Sequence, residues 1–288
     1  MLSPIILAQV LLNGLSLSAV YILIALGFTL LFGIMRVVNF AHGSFAMLGG
    51  YALYYVYGKY HVPYAAAVPL AAALVAIASL VLEQFVFRFF YQRMFQSMIG
   101  LIGLDLALTF SAVLVWDVYE RSIPPAVAGV SRIGGLIIAN DRLVVVGIAA
   151  VALAAFWLFM TRTRYGLAMR AAAEDVEIAE TQGIRARTIY RLAFLLASFM
   201  AALAGGLYAQ IYALSPFMGE QPLLVAFIVV ILGGMGSIPG AAIGGLILGF
   251  SQSILSTFYG ASVSAFASFG VVITLLIVRP WGLLGKPE

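Results

Sequence analysis

The stretch Arg162-Thr-Arg-Tyr-Gly-Leu-Ala-Met-Arg-Ala-Ala-Ala-Glu-Asp-Val-Glu-Ile-Ala-Glu-Thr-Gln-Gly-Ile-Arg-Ala-Arg-Thr-Ile-Tyr-Arg191 decides how the chain is laid out. It gathers six of the 15 Lys and Arg residues and four of the 11 Asp and Glu residues, with long apolar runs on either side. Each of these charges would cost roughly 2.5–3.5 kcal/mol at the centre of a hydrocarbon layer. The segment therefore lies in water, and its arginines place it on the cytoplasmic side. Ala172, Val176 and Ala179 recur at i, i+4, i+7, and Gly183 follows as a natural helix stop. Glu174, Glu177 and Glu180 occupy another arc. The spacing predicts one short amphipathic helix over residues 171–182, acidic early and followed by arginines, the order in which end charges support a helix. So short a helix is marginal alone and needs a partner surface. A solvated loop that fixes topology by its charge is the other reading of the same residues.

The rest of the sequence reads as membrane. Of its 288 residues 64% are hydrophobic and only 9% charged, against about 25% charged in a soluble domain. The expectation is an all-α polytopic membrane protein, one integral domain over residues 1–288, with the cytoplasmic loop at 162–191 and no extramembrane domain. The pI near 9.4 follows from the cytoplasmic arginines and is not a nucleic-acid footprint. With no cysteine there is no disulfide or thiolate chemistry. The first basic residue is Arg36, so the first apolar segment lacks the positive start of a cleaved leader and is expected to remain as a span.

Apolar segments run over residues 5–32, 44–57, 64–87, 98–116, 143–160, 192–214, 223–232, 241–258 and 262–278. This gives eight or nine transmembrane helices, depending on whether 223–232 crosses. A crossing gives nine passes and sets Arg36, Arg88 with Arg93, the 162–191 loop, and Arg279 with Lys286 all on the cytoplasmic side. The N-terminus is then outside and the C-terminus inside. If 223–232 is only re-entrant, the C-terminus moves out and the last two basic residues break the rule. Residues 117–142 form the longest outer stretch, made irregular by Pro124-Pro125, Gly129 and Gly134-Gly135; residues 215–222 read as an outer turn. Two glycine-broken stretches, 33–43 and 233–245, resemble the paired interrupted segments that mark a transport pathway between two halves. Close packing through Gly240-x-x-x-Gly244 and Gly245-x-x-x-Gly249 competes for the second.

Several chemistries are missing. No Gly-x-x-x-x-Gly-Lys-Ser/Thr loop exists, and Lys59 and Lys286 are the only lysines, so the chain has no P-loop for ATP. His42 and His61 are the only histidines; they form no His-Glu-x-x-His motif, and a hydrolytic centre needs several convergent polar groups. No enzyme activity, metal or cofactor is expected. Glu83, near a span end, is expected to snorkel to the surface. Asp105 falls midway in a span, where it lines a polar cavity or is protonated and structural. One lone acid argues against an ion-coupled pump. Asn39 and His42 sit in a polar break that cannot face lipid; they lie near the pathway or its cytoplasmic gate, or simply cap helix ends. A zwitterion stripped of water costs several kcal/mol, and the chain offers no midplane arginine for a carboxylate. The pathway is therefore expected to be a transient, water-containing cavity without a high-affinity substrate site.

Three motifs carry a resemblance. Residues 13–43, Asn-Gly-Leu-Ser-Leu-Ser-Ala-Val-Tyr-Ile-Leu-Ile-Ala-Leu-Gly-Phe-Thr-Leu-Leu-Phe-Gly-Ile-Met-Arg-Val-Val-Asn-Phe-Ala-His-Gly, resemble the N-terminal signature of permease subunits of branched-chain amino acid ABC importers. Thr163-Arg-Tyr-Gly-Leu-Ala-Met-Arg-Ala-Ala-Ala-Glu-Asp through Gly183-Ile184 is similar to that family's coupling loop. Leu232-Gly-Gly-Met-Gly-Ser-Ile-Pro-Gly-Ala-Ala-Ile-Gly-Gly245 is similar to its C-terminal element. The resemblance covers nearly the whole length in order, and the three motifs together resemble the H-type member of the permease pair. The resemblance implies the ABC importer permease fold in a bacterial cytoplasmic (inner) membrane. Its implied partners are a second permease, two soluble ATPases that bind the ATP, and an extracytoplasmic binding protein delivering leucine, isoleucine or valine. It implies ATPase coupling through Arg170, Ala172, Glu174, Asp175, Val176, Ala179, Gly183 and Ile184. Asn13, Asn39, His42, Asp105, Gly233 and Gly234 are the candidates for the translocation pathway. Related permeases carry urea, short amides or sugars, so a urea or amide permease is the alternative within the family. A self-sufficient channel or secondary transporter is the alternative outside it.

Overall fold

In the computed structural model, residues 4–89, 94–133 and 136–285 are described; Arg93, Gly134, Gly135 and Lys286 lie outside them. Among the described residues, seven helices are long and apolar enough to cross a membrane. They are α1 (Pro4–Met35), α3 (Tyr64–Phe85), α4 (Met94–Trp116), α5 (Asn140–Arg162), α8 (Ala186–Ile211), α10 (Ile238–Tyr259) and α11 (Ala261–Val278). Two shorter apolar helices complete the membrane part. One is α2 (His42–Leu53), continued by a π-helical turn over Tyr54–Lys59; the other is α9 (Glu220–Gly233). The cytoplasmic segment holds α6 (Arg164–Glu174) and α7 (Val176–Thr181). The outer stretch is not wholly irregular: β1 (Val130–Ile133) pairs antiparallel with β2 (Leu136–Ala139), a small exception to the all-α architecture.

The centre of the bundle is α1, apolar on every side and buried from Val20 to Leu26, as a helix surrounded by others must be. Small residues let neighbours come close. Gly245 and Gly249 of α10 lie against Ile22 and Ser18 of α1, while Gly240 and Gly244 lie against Gly233 and Val229 of α9. The two small-residue motifs of α10 thus serve packing on two different helices. The contact between α2 and α8 is closer still. A side chain at Gly205 would overlap the carbonyl of Ala46, and one at Gly49 the carbonyl of Ala202.

Sidedness follows from contacts combined with charge. Gly33 near the end of α1 lies against Gly236, and Gly234 lies against Trp281 and Gly285. The Leu283 and Leu284 N–H groups donate to the carbonyls of Leu232 and Gly233 at 2.9 and 3.0 Å. The ends of α1, α9 and α11 and the start of α10 therefore share one side, the side of Arg36 and Arg279, which is the cytoplasmic one. The opposite side carries aromatic residues. Tyr51 stacks on Trp116 at 4.0 Å, Tyr57 meets Tyr64 edge-on at 5.0 Å, and Trp116 Nε1 donates to the Tyr55 hydroxyl at 3.0 Å. Such residues settle at a membrane–water interface.

Glu83 does not snorkel. It is 2% exposed and accepts from Arg191 Nε at 3.3 Å, tying the cytoplasmic end of α3 to α8. Breaking a fully buried pair costs about 3–5 kcal/mol. Arg191 is 41% exposed, so water can replace part of its role. Arg191→Met is expected to destabilise the protein by about 1–3 kcal/mol, read as earlier thermal unfolding in detergent. Unchanged unfolding would show the pair to be dispensable.

A mid-membrane break and a cytoplasmic groove

Two helices begin inside the membrane rather than at its surface. After α1, Arg36 turns the chain with φ 51°, in the left-handed region. Residues 37–41 then run back into the protein, with Val37, Val38, Asn39 and Ala41 buried. His42, at the start of α2, is fully buried, and its Nε2 donates to the Ile24 carbonyl at 3.0 Å. Ile24 lies eleven residues before the end of α1, about 16 Å at 1.5 Å per residue, or halfway through a core about 30 Å thick. From there α2 and its π-helical turn run to the outer side.

The second break is at residues 212–219, not at Gly233–Gly240. Leu214 pairs with Arg121 at the outer end, next to the Trp116 carbonyl that Arg121 holds at 2.8 Å. Pro216, Met218 and Gly219 are buried as the chain descends. Gly219 reaches Gly43, where neither glycine has room for a side chain because each faces the other's carbonyl. From that point α9 runs to the cytoplasmic side. Residues 215–222 are thus the mid-membrane partner of residues 36–43, and Gly233–Gly240 is a turn at the cytoplasmic surface. Apolar residues over 214–219 supplied no signal; Glu220 was hidden by its place in an apparent outer turn. The segment 223–232 is helical throughout, within α9, which with α2 adds two shorter apolar helices to the seven long ones among the described residues.

The six pathway candidates fall at three levels. Asn13 is near the outer end of α1, hydrogen-bonded to Arg142 and lining a polar pocket of about 130 Å³ with Ser16, Tyr212 and Ser253. Gly233 and Gly234 are at the cytoplasmic end, with Gly234 at φ 102°. The middle holds the other three. Asp105, eleven residues from each end of α4, accepts from the Ser44 hydroxyl at the start of α2. Glu220, outside the six candidates, is exposed at the start of α9, next to the Gly219 that meets Gly43 at the start of α2. Asn39 is 1% exposed, and neither its Oδ1 nor its Nδ2 has a hydrogen-bond partner among the described residues; the same holds for His42 Nδ1. Beside His42 lies an aromatic group, with Phe28 edge-on to His42 at 5.7 Å and to Phe227 at 5.9 Å, and Phe40 stacked on Phe227 at 6.4 Å.

The cytoplasmic segment differs from the single helix expected over 171–182. Asp175 is extended (φ −156°) and caps α7, its carboxylate accepting from the Ile178 N–H at 3.0 Å. Thr163 caps α6 in the same way through the Gly166 N–H at 3.0 Å. A short acidic side chain offers the backbone an alternative to continuing the helix, so the segment breaks in two. Gly183 (φ 84°) ends α7, and the Ile184 N–H returns to the Ala179 carbonyl at 3.1 Å. Ala172 and Ala179 are buried in the subunit itself, and Val176 packs beside them. The expected stripe faces inward. The outward surface is a groove of about 560 Å³ lined by Leu167, Ala168, Ala171, Ile178, Ile184 and, at its floor, the buried Ala179, and rimmed by Arg164, Glu174, Asp175 and Gln182. Leu167 and Ile178 are 61% and 63% exposed in it. Arg170 is exposed on α6 beside this groove but does not line it.

The whole chain can be compared with known proteins. Residues 10–278 match the family described as branched-chain amino acid transport system / permease component. The chain is 32% identical to the high-affinity branched-chain amino acid transport system permease protein BraD of Pseudomonas aeruginosa, over 97% of this chain and 96% of BraD. It is 32% identical to the corresponding LivH of Escherichia coli K12, over 97% of this chain and 96% of LivH. It is 28% identical to a probable branched-chain amino acid transport permease protein LivH of Methanocaldococcus jannaschii, over 93% of this chain and 89% of that protein. No solved structure matches. By its broken mid-membrane helices, its cytoplasmic groove and this match over nearly its full length, the chain belongs to the family of branched-chain amino acid transport system permease components.

Proposed function

We propose that this subunit forms part of the membrane channel of an ATP-driven importer for branched-chain or related amino acids. The observation that carries the reading is the apolar, charge-rimmed groove on α6 and α7, in a chain whose relatives are named for that transport. The groove has the size and chemistry to hold a helix-sized element of a soluble ATPase, with Leu167 and Ile178 as anchors and Arg164, Glu174 and Asp175 as a polar rim. Two ATPases on the cytoplasmic side would bind and hydrolyse ATP. An extracytoplasmic binding protein would deliver the amino acid, and a second permease would complete the channel in a bacterial cytoplasmic membrane.

Within the subunit, the pathway runs past the mid-membrane break. Asn39 and His42 Nδ1 are buried polar groups that cost about 1–3 kcal/mol each while unpaired. Such groups suit a region that opens to water during each transport cycle and closes over Phe28, Phe40 and Phe227 between cycles. The apolar side chain of leucine crosses with little desolvation, and water in the opened cavity keeps its charged ends solvated.

Reconstitution of the whole transporter in vesicles tests this reading. Labelled leucine should enter only with ATP, the ATPases and the binding protein all present. Uptake of urea or a short amide in place of leucine would move the protein to the alternative substrate class. Leucine entry without ATPases would make it a self-sufficient channel.

A further inference from the structure

At the outer end of the bundle, α1, α5, α8 and α10 enclose a small polar pocket of about 130 Å³, whose lining includes Asn13, Ser16, Arg142, Tyr212, Ser253 and Ser256. Arg142, half-buried on the first turn of α5, is its one basic residue. Among the described residues, its guanidinium donates only to Asn13 Oδ1 and has no ion-pair partner. The neighbouring Asp141 carboxylate is turned to the backbone and accepts from the Arg142 N–H at 2.8 Å. Lys59 and Arg121, also on the outer side, instead lie over tyrosine rings at 5.5 Å. The hydroxyls of Ser16, Ser253 and Ser256 donate to backbone carbonyls. The donors left to the pocket are the other guanidinium N–H groups and Asn13 Nδ2. Asn13 precedes Met35, the cytoplasmic end of α1, by 22 residues, or about 33 Å. The pocket therefore stands at headgroup height, just beyond a hydrocarbon core about 30 Å thick. Exposed apolar side chains flank it in sequence on three helices: Leu11 and Leu15 of α1, Leu143 of α5 and Ile254 of α10.

We propose that this pocket holds the phosphate of an outer-leaflet phospholipid, with Arg142 as its cation and Asn13 as the residue that orients the guanidinium. A guanidinium without a carboxylate partner takes phosphate oxygens in a charge-assisted, often bidentate contact. A phosphodiester carries one negative charge, which one arginine matches. The apolar side chains beside the pocket lie where the acyl chains would descend. A soluble oxyanion such as inorganic phosphate shares the chemistry of the pocket but makes no use of those apolar neighbours. A lipid held there ties together the outer ends of four helices. The site is separate from the mid-membrane break and from the cytoplasmic groove, and it does not depend on the importer reading.

The test uses the complete transporter in detergent and a phosphatidylglycerol whose headgroup carries a diazirine. Light should attach this probe to the peptides of this chain that hold Asn13, Arg142 or Ser253. Arg142→Gln should cut that labelling by about tenfold or more, the loss expected on removing a charged hydrogen-bond partner. Labelling of the α11 peptide should stay unchanged. Asn13→Asp decides the matter if Arg142→Gln fails to fold. It keeps the side-chain shape, pairs the guanidinium internally and should reduce labelling to the same extent. Unlabelled phosphatidylglycerol should displace the probe, and inorganic phosphate at the same concentration should not. Labelling at these peptides that survives either substitution in a folded transporter would overturn the proposal. Displacement of the probe by inorganic phosphate alone would assign the pocket to a free oxyanion and overturn the lipid as its source.

Discussion

Gly205→Leu should remove most of the folded protein from the membrane. The added side chain would start inside the Ala46 carbonyl of α2. The obstacle is helical backbone, which cannot rotate away as a side chain could. Overpacking of a close-fitting core costs about 1–3 kcal/mol and occasionally more, and this contact belongs at the upper end. It also anchors α2, which begins in mid-membrane and depends on α8 for its position. The expected readout is a severalfold drop in purified yield and earlier unfolding in detergent. Gly147→Ala and Gly270→Ala provide the comparison, since nothing lies within 4 Å of a side chain at either position. Those two should behave as the unsubstituted protein. A stable, monodisperse Gly205→Leu would mean that α2 and α8 separate more easily than their packing shows.

The second large effect separates folding from coupling on two faces of one helical turn. Ile178 is 63% exposed in the cytoplasmic groove, so Ile178→Asp leaves the subunit's own packing intact and places a charge where an ATPase would dock. Truncating a central anchor of an interface typically costs 2 kcal/mol or more. ATP-driven uptake should therefore fall at least tenfold with the amount of membrane-inserted protein unchanged. Val176, only two residues away, points into the bundle, and Val176→Glu should instead lower the stability of the subunit. If Ile178→Asp transports normally and Val176→Glu abolishes coupling in a stable protein, the inward and outward faces of α7 have been assigned the wrong way round.

Much of the layout was legible because a membrane restricts the options. The polytopic helical class and its long spans follow from apolar length, since each charge left in hydrocarbon costs several kcal/mol. The depth of the breaks was harder to see. Gly33–Gly43 announced itself through Arg36, Asn39 and His42. The segment from Leu214 to Gly219 carries no charge, its Ser215-Pro216 reads equally as an outer turn, and the glycine-rich run after Gly233 marks a turn between α9 and α10. The side that the α7 stripe faces was open for a different reason. Periodicity shows that Ala172, Val176 and Ala179 share a face, but it cannot say whether that face meets the subunit or its partner. Asp175, which splits the helix, carried the needed signal, because aspartate at that spacing is a natural start for a new helix. Glu83 was taken for a surface group because its partner, Arg191, is far away in sequence.

The meeting of α2 and α9 at Gly43 and Gly219 has an electrical consequence. Each helix start carries the equivalent of about +0.5 elementary charge from its aligned peptide dipoles, and here two starts converge in a low-dielectric layer. Together they supply roughly one positive charge at the centre of the membrane without any basic side chain. Asp105 and Glu220 stand beside that charge, which lowers the cost of keeping carboxylates at such depth by about 0.3–1 kcal/mol for each helix end. The opposing contributions leave a mid-membrane field with both signs within a few ångströms. If the pathway proposed above passes this point, the ammonium and the carboxylate of one amino acid would each meet a charge of opposite sign there.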